Sequence, residues 1–169
     1  MKSSLMWLIT TALLSLTVVA AGAQNSGDQK HKSVFITHLY TGPDGQTHAE
    51  ETEAKFTPGS GNDVFKMMTT GAELHRAAPG IVSDWHTAPR RQYVITLSGH
   101  GELEVAGGKK IAVGPGDIEL VEDTTDKGHI TRVTGTEELI AFGFPLPISP
   151  ADRHRRWREV VETLVGHPS

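Results

Sequence analysis

The segment Gly80-Ile81-Val82-Ser83-Asp84-Trp85-His86-Thr87-Ala88-Pro89-Arg90-Arg91-Gln92-Tyr93-Val94-Ile95-Thr96-Leu97-Ser98-Gly99 decides how this chain is read. Tyr93 to Leu97 is β-branched and apolar, which suits a strand. Residues i and i+2 of a strand point to one face. Gln92, Val94 and Thr96 therefore share a face, as do His86 and Ala88 just before them. Pro79-Gly80 marks a loop over Arg76 to Asp84, and Ser98-Gly99-His100-Gly101 turns the chain.

Downstream, Glu102-Leu103-Glu104-Val105 alternates strictly, so one of its faces is wet. Ala106 to Lys109 reads as a hairpin loop and Lys110 to Val113 as the returning strand. Gly114-Pro115-Gly116-Asp117 is a tight turn, followed by strands at Ile118–Val121, His129–Val133 and Leu139–Phe144. Upstream, Ser33–Tyr40 and Val64–Thr70 also read as strands, with turn signals at Thr41–Gly45 and Thr57–Asn62. Short strands punctuated by Gly and Pro predict an all-β sandwich or barrel rather than βαβ units.

Both ends read differently. Lys2, an apolar run from Leu5 to Ala20 and the small-x-small triplet Ala21-Gly22-Ala23 make a three-part secretory signal over 1–23. The apolar run is near the lower limit for crossing a bilayer, about 17 residues, and no basic stop-transfer cluster follows it. Cleavage predicts a periplasmic or secreted chain starting at Gln24, with no stable membrane anchoring. Residues 24–32 are polar and read as a disordered leader, and 33–148 as the folded domain. Over 149–166, Trp157, Val160, Val161 and Leu164 recur at helical spacing, so one amphipathic helix is expected there, its basic residues on a solvated face.

The whole chain of 169 residues carries a formal charge of −4. That balance gives no electrostatic footprint for nucleic acid. Cysteine is absent, which excludes disulfides, thiolate catalysis, Cys-based zinc sites and a lipoprotein anchor. No phosphate-cradling glycine loop opens a helix, and no G-x-S-x-G elbow is present.

Gly80, His86, Gln92 and Gly99 fall at the spacing of the first cupin motif, G-x5-H-x-H-x3-E-x6-G, which the segment resembles. The family's second His is Ala88 here and its Glu is Gln92. Gly114-Pro115-Gly116-Asp117 resembles the turn that opens the second cupin motif, and His129 falls near that motif's single His, after a slightly longer loop that lacks the usual Pro. The resemblance covers about Val64 to Phe144. It implies a cupin-type double-stranded β-helix, a jelly-roll barrel, with the C-terminal α-helix laid outside or over an open edge. It also implies a metal site in which His86 and His129 offer imidazoles and Gln92 a neutral carbonyl oxygen to a divalent ion such as Fe, Mn, Zn or Ni. The usual carboxylate is missing from that set.

Several neighbours bear on the pocket. Trp85 either floors it or packs in the core. Glu122 and Asp123, at the start of the polar loop that ends in His129, either supply a ligand or general base or lie in solvent. Arg90 and Arg91 favour an anionic ligand if one of them points inward, and are otherwise surface residues. The expected function is a small enzyme acting on a polar small molecule, a sugar or an organic acid. The alternative is a non-catalytic periplasmic binding module. A homodimer paired through the Ser33–Tyr40 strand is expected, because open edges need cover.

Overall fold

The computed structural model describes residues 31–149, together with Arg153 and Trp157. The expected signal segment, most of the leader, and the expected helix apart from Ser149, Arg153 and Trp157 lie outside the described residues.

The described elements are ten strands and one 3-10 turn. They are β1 (Phe35–Thr41), β2 (Thr47–Glu53), β3 (Glu73–Ala77), β4 (Val82–His86), β5 (Gln92–Ser98), β6 (His100–Glu104), β7 (Lys110–Val113), β8 (Ile118–Glu122), β9 (His129–Thr134) and β10 (Leu139–Pro145). The turn, Ala106–Gly108, joins β6 to β7. The strands form two separate sheets. One has six strands in the order β2-β1-β8-β5-β10-β3, the other four in the order β4-β9-β6-β7. All pairings are antiparallel except β1 with β8.

Turn chemistry sets the crossings between sheets. In Gly114-Pro115-Gly116-Asp117 the Asp117 N–H donates to the Gly114 carbonyl at 3.0 Å, and Gly116 has φ of 91°. Proline at the first central position and a positive-φ glycine at the second are what a type II turn requires. The Asp117 carboxylate closes the turn by accepting from the Gly114 N–H at 2.8 Å. The buried apolar cluster is Leu39, Leu103, Val105 and Val113, with Ala49 and Ile111 packed on it.

Three readings of the sequence change. Val64–Thr70 is not a strand; Val64 makes only an isolated bridge to Thr57. The expected loop over Arg76–Asp84 is a short turn, because β3 runs to Ala77 and β4 starts at Val82. The stretch Thr47–Glu53 carries no apolar alternation, yet forms β2, paired along its full length with β1. Its polar composition fits its place at the sheet edge, where acidic side chains discourage further strand addition. β1 itself lies between β2 and β8. Both of its hydrogen-bonding edges are taken, so the expected dimer pairing through this strand has no free edge to use.

Candidate functional site

β4 and β9 bring His86 and His129 together as a direct cross-strand pair. Their ring centroids are 4.6 Å apart, with the planes inclined at 53°. Simple alternation from Ser83, which faces the cavity opposite Thr131, would turn Trp85 inward and His86 outward. A register shift between Ser83 and His86 prevents this. A bulge re-aims the side chains that follow it, and here it puts His86 on the cavity side. Gly128 makes the close approach workable. It has φ of +73°, and a Cβ on it would sit 1.9 Å from the His86 carbonyl oxygen.

Each imidazole is held by its Nδ1. His86 Nδ1 lies 2.8 Å from the Asp84 carbonyl oxygen, which can only accept, so Nδ1 carries the proton. His129 Nδ1 lies 2.6 Å from Asp123 Oδ2. Asp123 is 0% exposed, and the same oxygen accepts from the buried Thr47 hydroxyl at 3.1 Å. In the neutral form of each ring this leaves Nε2 as the acceptor. Fixing one ring nitrogen in this way sets the tautomer and orientation of the other.

The pair lines a cavity of about 340 Å³ between the two sheets. Ser83, His86, His129 and Thr131 form one wall; Gln92, Val94, Thr96, Glu119 and Val121 face them from β5 and β8. The register places Gln92 opposite Val121 and Val94 opposite Glu119, so the row is inward by alternation. The core residues Leu103 and Val113 also contribute to the wall. His75 reaches in from β3 beside Gly143. A Cβ on Gly143 would meet His75 Nε2 at 2.9 Å and Gln92 Oε1 at 3.6 Å.

Glu119 is 3% exposed, and neither carboxyl oxygen has a hydrogen-bond partner. Burial, reinforced by repulsion from Asp117, pushes its pKa up to about 8. Desolvation penalises the charged form, so Glu119 is a neutral acid at neutral pH. Gln92 Oε1 is likewise buried and without a partner.

Of the residues picked out by sequence, His86, Gln92 and His129 share this cavity. Trp85 and Glu122 do not line it. Trp85 is 37% exposed on the far side of the bulge, with the Lys127 ammonium 3.8 Å from its ring centre. Glu122 follows the outward parity of β8. It accepts from Arg91 Nε at 2.7 Å and bonds His38 Nε2 at 2.8 Å. Arg90 is engaged by Glu73, and neither arginine lines the cavity. Asp123, noted beside Glu122 in the sequence, is buried against His129, whereas Glu119, the inward carboxylate of β8, was missed. In Ile118–Glu122 the apolar alternation favours Ile118 and Leu120 as the inward pair, and only the register against β5 reverses it.

The donor set does not suit the divalent ion that the motif implies. His86 and His129 supply two neutral imidazoles and Gln92 a neutral amide. Among the described residues no group of three or more His, Cys, Asp or Glu is arranged to hold a metal ion. Asp123 is committed to His129 Nδ1.

Two sheets enclose a largely apolar cavity, and a histidine pair stands on its wall at the positions of the motif noted in the sequence. No protein-family model matches the sequence, and no curated protein matches it. Solved structures to which it is similar include a cupin-like protein from Thermotoga maritima, at 18% identity over 50% of this chain and 71% of that one, with a TM-score of 0.37. Ectoine synthase from P. lautus is similar at 20% identity over 56% of this chain and 70% of its own, with a TM-score of 0.35. An RmlC-like cupin from Desulfovibrio desulfuricans is similar at 14% identity over 80% of this chain and 100% of its own, with a TM-score of 0.35. These similarities concern the fold alone.

Proposed function

We propose that this chain is a small enzyme that moves a proton on a polar small molecule, a sugar or an organic acid, with His129 as the general base. The observation that carries the reading is the buried Asp123–His129 pair, with its 2.6 Å contact at Nδ1. Such a carboxylate holds the imidazole in the tautomer whose Nε2 accepts a proton, and it stabilises the imidazolium that results. Glu119 stands on the opposite wall as a neutral acid. A carboxylic acid kept neutral in an apolar site can donate to an oxygen that gains negative charge as the proton leaves. His86, its Nδ1 tied to a backbone carbonyl, offers a second acceptor for the substrate. No step in this reading is routed through a metal.

The test is solvent exchange. Mixtures of sugars and hydroxy acids incubated with the protein in deuterium oxide are expected to gain deuterium at one carbon, and His129→Asn to lose that activity. Exchange that persists undiminished in His129→Asn would sink the assignment. Ala88 and Gln92, which replace groups of the cupin motif, favour a second reading, a non-catalytic binding module. Retained ligand binding without exchange in the native protein would select it.

Export belongs to the same proposal. The apolar run and Ala21-Gly22-Ala23 support a mature chain beginning at Gln24 in the periplasm or medium. N-terminal sequencing of the secreted fraction tests it, and an intact Met1 on the soluble protein would overturn it.

A further inference from the structure

We infer that the cavity selects a small organic cation, whose ammonium group seats against Glu119. The inference rests on the reading of the cavity above as a site for a polar small molecule, and within that class it favours an amine-bearing ligand over an organic acid; it does not depend on the proton transfer assigned to His129.

Most of the polar atoms that face the cavity without partners can accept a hydrogen bond, and the protonated Glu119 carboxyl adds one donor of its own. Gln92 Oε1 and both oxygens of Glu119 are buried and unsatisfied. His86 and His129 each present Nε2 with the proton fixed on Nδ1. No Lys or Arg lines the cavity. Arg90 and Arg91, the nearest in sequence, are engaged by Glu73 and Glu122. A buried acceptor left unpaired costs free energy that a ligand's N–H or O–H group recovers. A ligand fitted to this wall must therefore bring donors, and an ammonium group brings three.

Charge points the same way. Glu119 is a carboxyl group on a wall that it shares with Val94, Val121, Gln92 and Thr96. Alone it holds its proton, because burial disfavours the anion. An arriving ammonium supplies the missing countercharge. Glu119 then ionises, its proton passes to solvent, and an ammonium–carboxylate pair remains. A carboxylate ligand meets the opposite situation, with Glu119 on the cavity wall, Asp123 buried against His129 Nδ1, and no guanidinium or lysine to receive it. The volume, about 340 Å³, suits a compact molecule.

Ethanolamine, ethylene glycol and glycolate test this, since they match in size and differ in one group: ammonium, hydroxyl or carboxylate. Titration calorimetry on the exported chain at neutral pH, repeated in buffers of different ionisation heat, reads both affinity and protons exchanged. Ethanolamine is expected to bind about tenfold or more tightly than ethylene glycol, and glycolate more weakly than either. Ethanolamine binding is expected to release about one proton. Glu119→Gln should abolish the release and bring ethanolamine level with ethylene glycol. If that variant does not fold, the ranking and proton count of the native protein decide. Glycolate binding as tightly as ethanolamine, no proton release, or no binding of ethanolamine overturns the inference. Exchange and the binding ranking are read separately on the native protein. A failed exchange test with the ranking intact therefore removes the proton-transfer reading and leaves this one standing.

Discussion

Asp123 Oδ2 lies 2.6 Å from His129 Nδ1, and the Thr47 hydroxyl holds that same oxygen from β2, 76 residues earlier in the chain. The carboxylate is fully buried, so its orientation is set by these two partners. Asp123→Asn removes the negative charge and keeps the shape. The imidazole then loses its preference for a proton on Nδ1. Nitrogen chemical shifts should show both neutral tautomers of His129, where the native protein shows one. Deuterium exchange should fall by about 10²-fold, the lower end of what general acid–base catalysis contributes. An unchanged tautomer with unchanged exchange would remove Asp123 from the mechanism.

Glu119 predicts a stability profile. Its folded pKa, about 8, is above the ordinary value of 4.5. Between those values the folded chain keeps a proton that the unfolded chain releases. This contribution to stability is fully present below pH 4.5 and is lost progressively as pH rises through about 8. Glu119→Gln has no such proton, so its stability relative to the native protein should increase with pH. The gain should be on the order of 3 kcal/mol near pH 7. Denaturant melts at acid, neutral and alkaline pH measure it; parallel profiles for the two proteins would contradict the burial argument.

Much of the fold was legible because turn residues carry it. Gly80 and Gly99, the ends of the segment that identified the fold, both have positive φ, at 76° and 74°. At Gly99 a Cβ would sit 2.3 Å from the Glu138 carbonyl oxygen, so a side chain is excluded twice over. What alternation cannot register is a bulge. The shift between Ser83 and His86 exchanged the roles of Trp85 and His86, and nothing in the residue types announces it. Glu119 stayed hidden for a related reason. Periodicity shows that a strand has two faces, and which face is inward depends on a partner strand more than twenty residues away.

Gly128→Ala tests the backbone contact behind the histidine pair. The added Cβ would collide with the His86 carbonyl carbon at 2.2 Å, and φ of +73° is unfavourable for alanine besides. We expect a loss of at least about 2 kcal/mol, read by thermal or chemical unfolding. Gly107→Ala is the control. It shares the positive φ, at +72°, but has nothing within 4 Å, so it should lose clearly less.

Gln92→Glu restores the charge that the donor set lacks. Affinity for at least one of iron, manganese, zinc or nickel should rise by tenfold or more over the native protein, on the basis that a hard divalent ion prefers an anionic oxygen. Titration at neutral pH after chelator treatment decides it. No gain for any of the four would mean that Gln92 does not converge with His86 and His129 on one point.

The pairing of β1 with β8 has a consequence in time rather than space. His38 on β1 meets Glu122 across 84 residues of chain, and these two strands run parallel. At roughly 5–20 residues per second, a ribosome needs roughly 4–17 s to make the stretch between them. Through that interval the β1–β2 hairpin exists without the neighbour that completes its sheet, and a lone hairpin is marginal in water. The nascent chain is thus kept from closing its cavity until the second half has been made. On the proposed export route, in which the chain is threaded through a membrane channel before it folds, late closure is an advantage in itself.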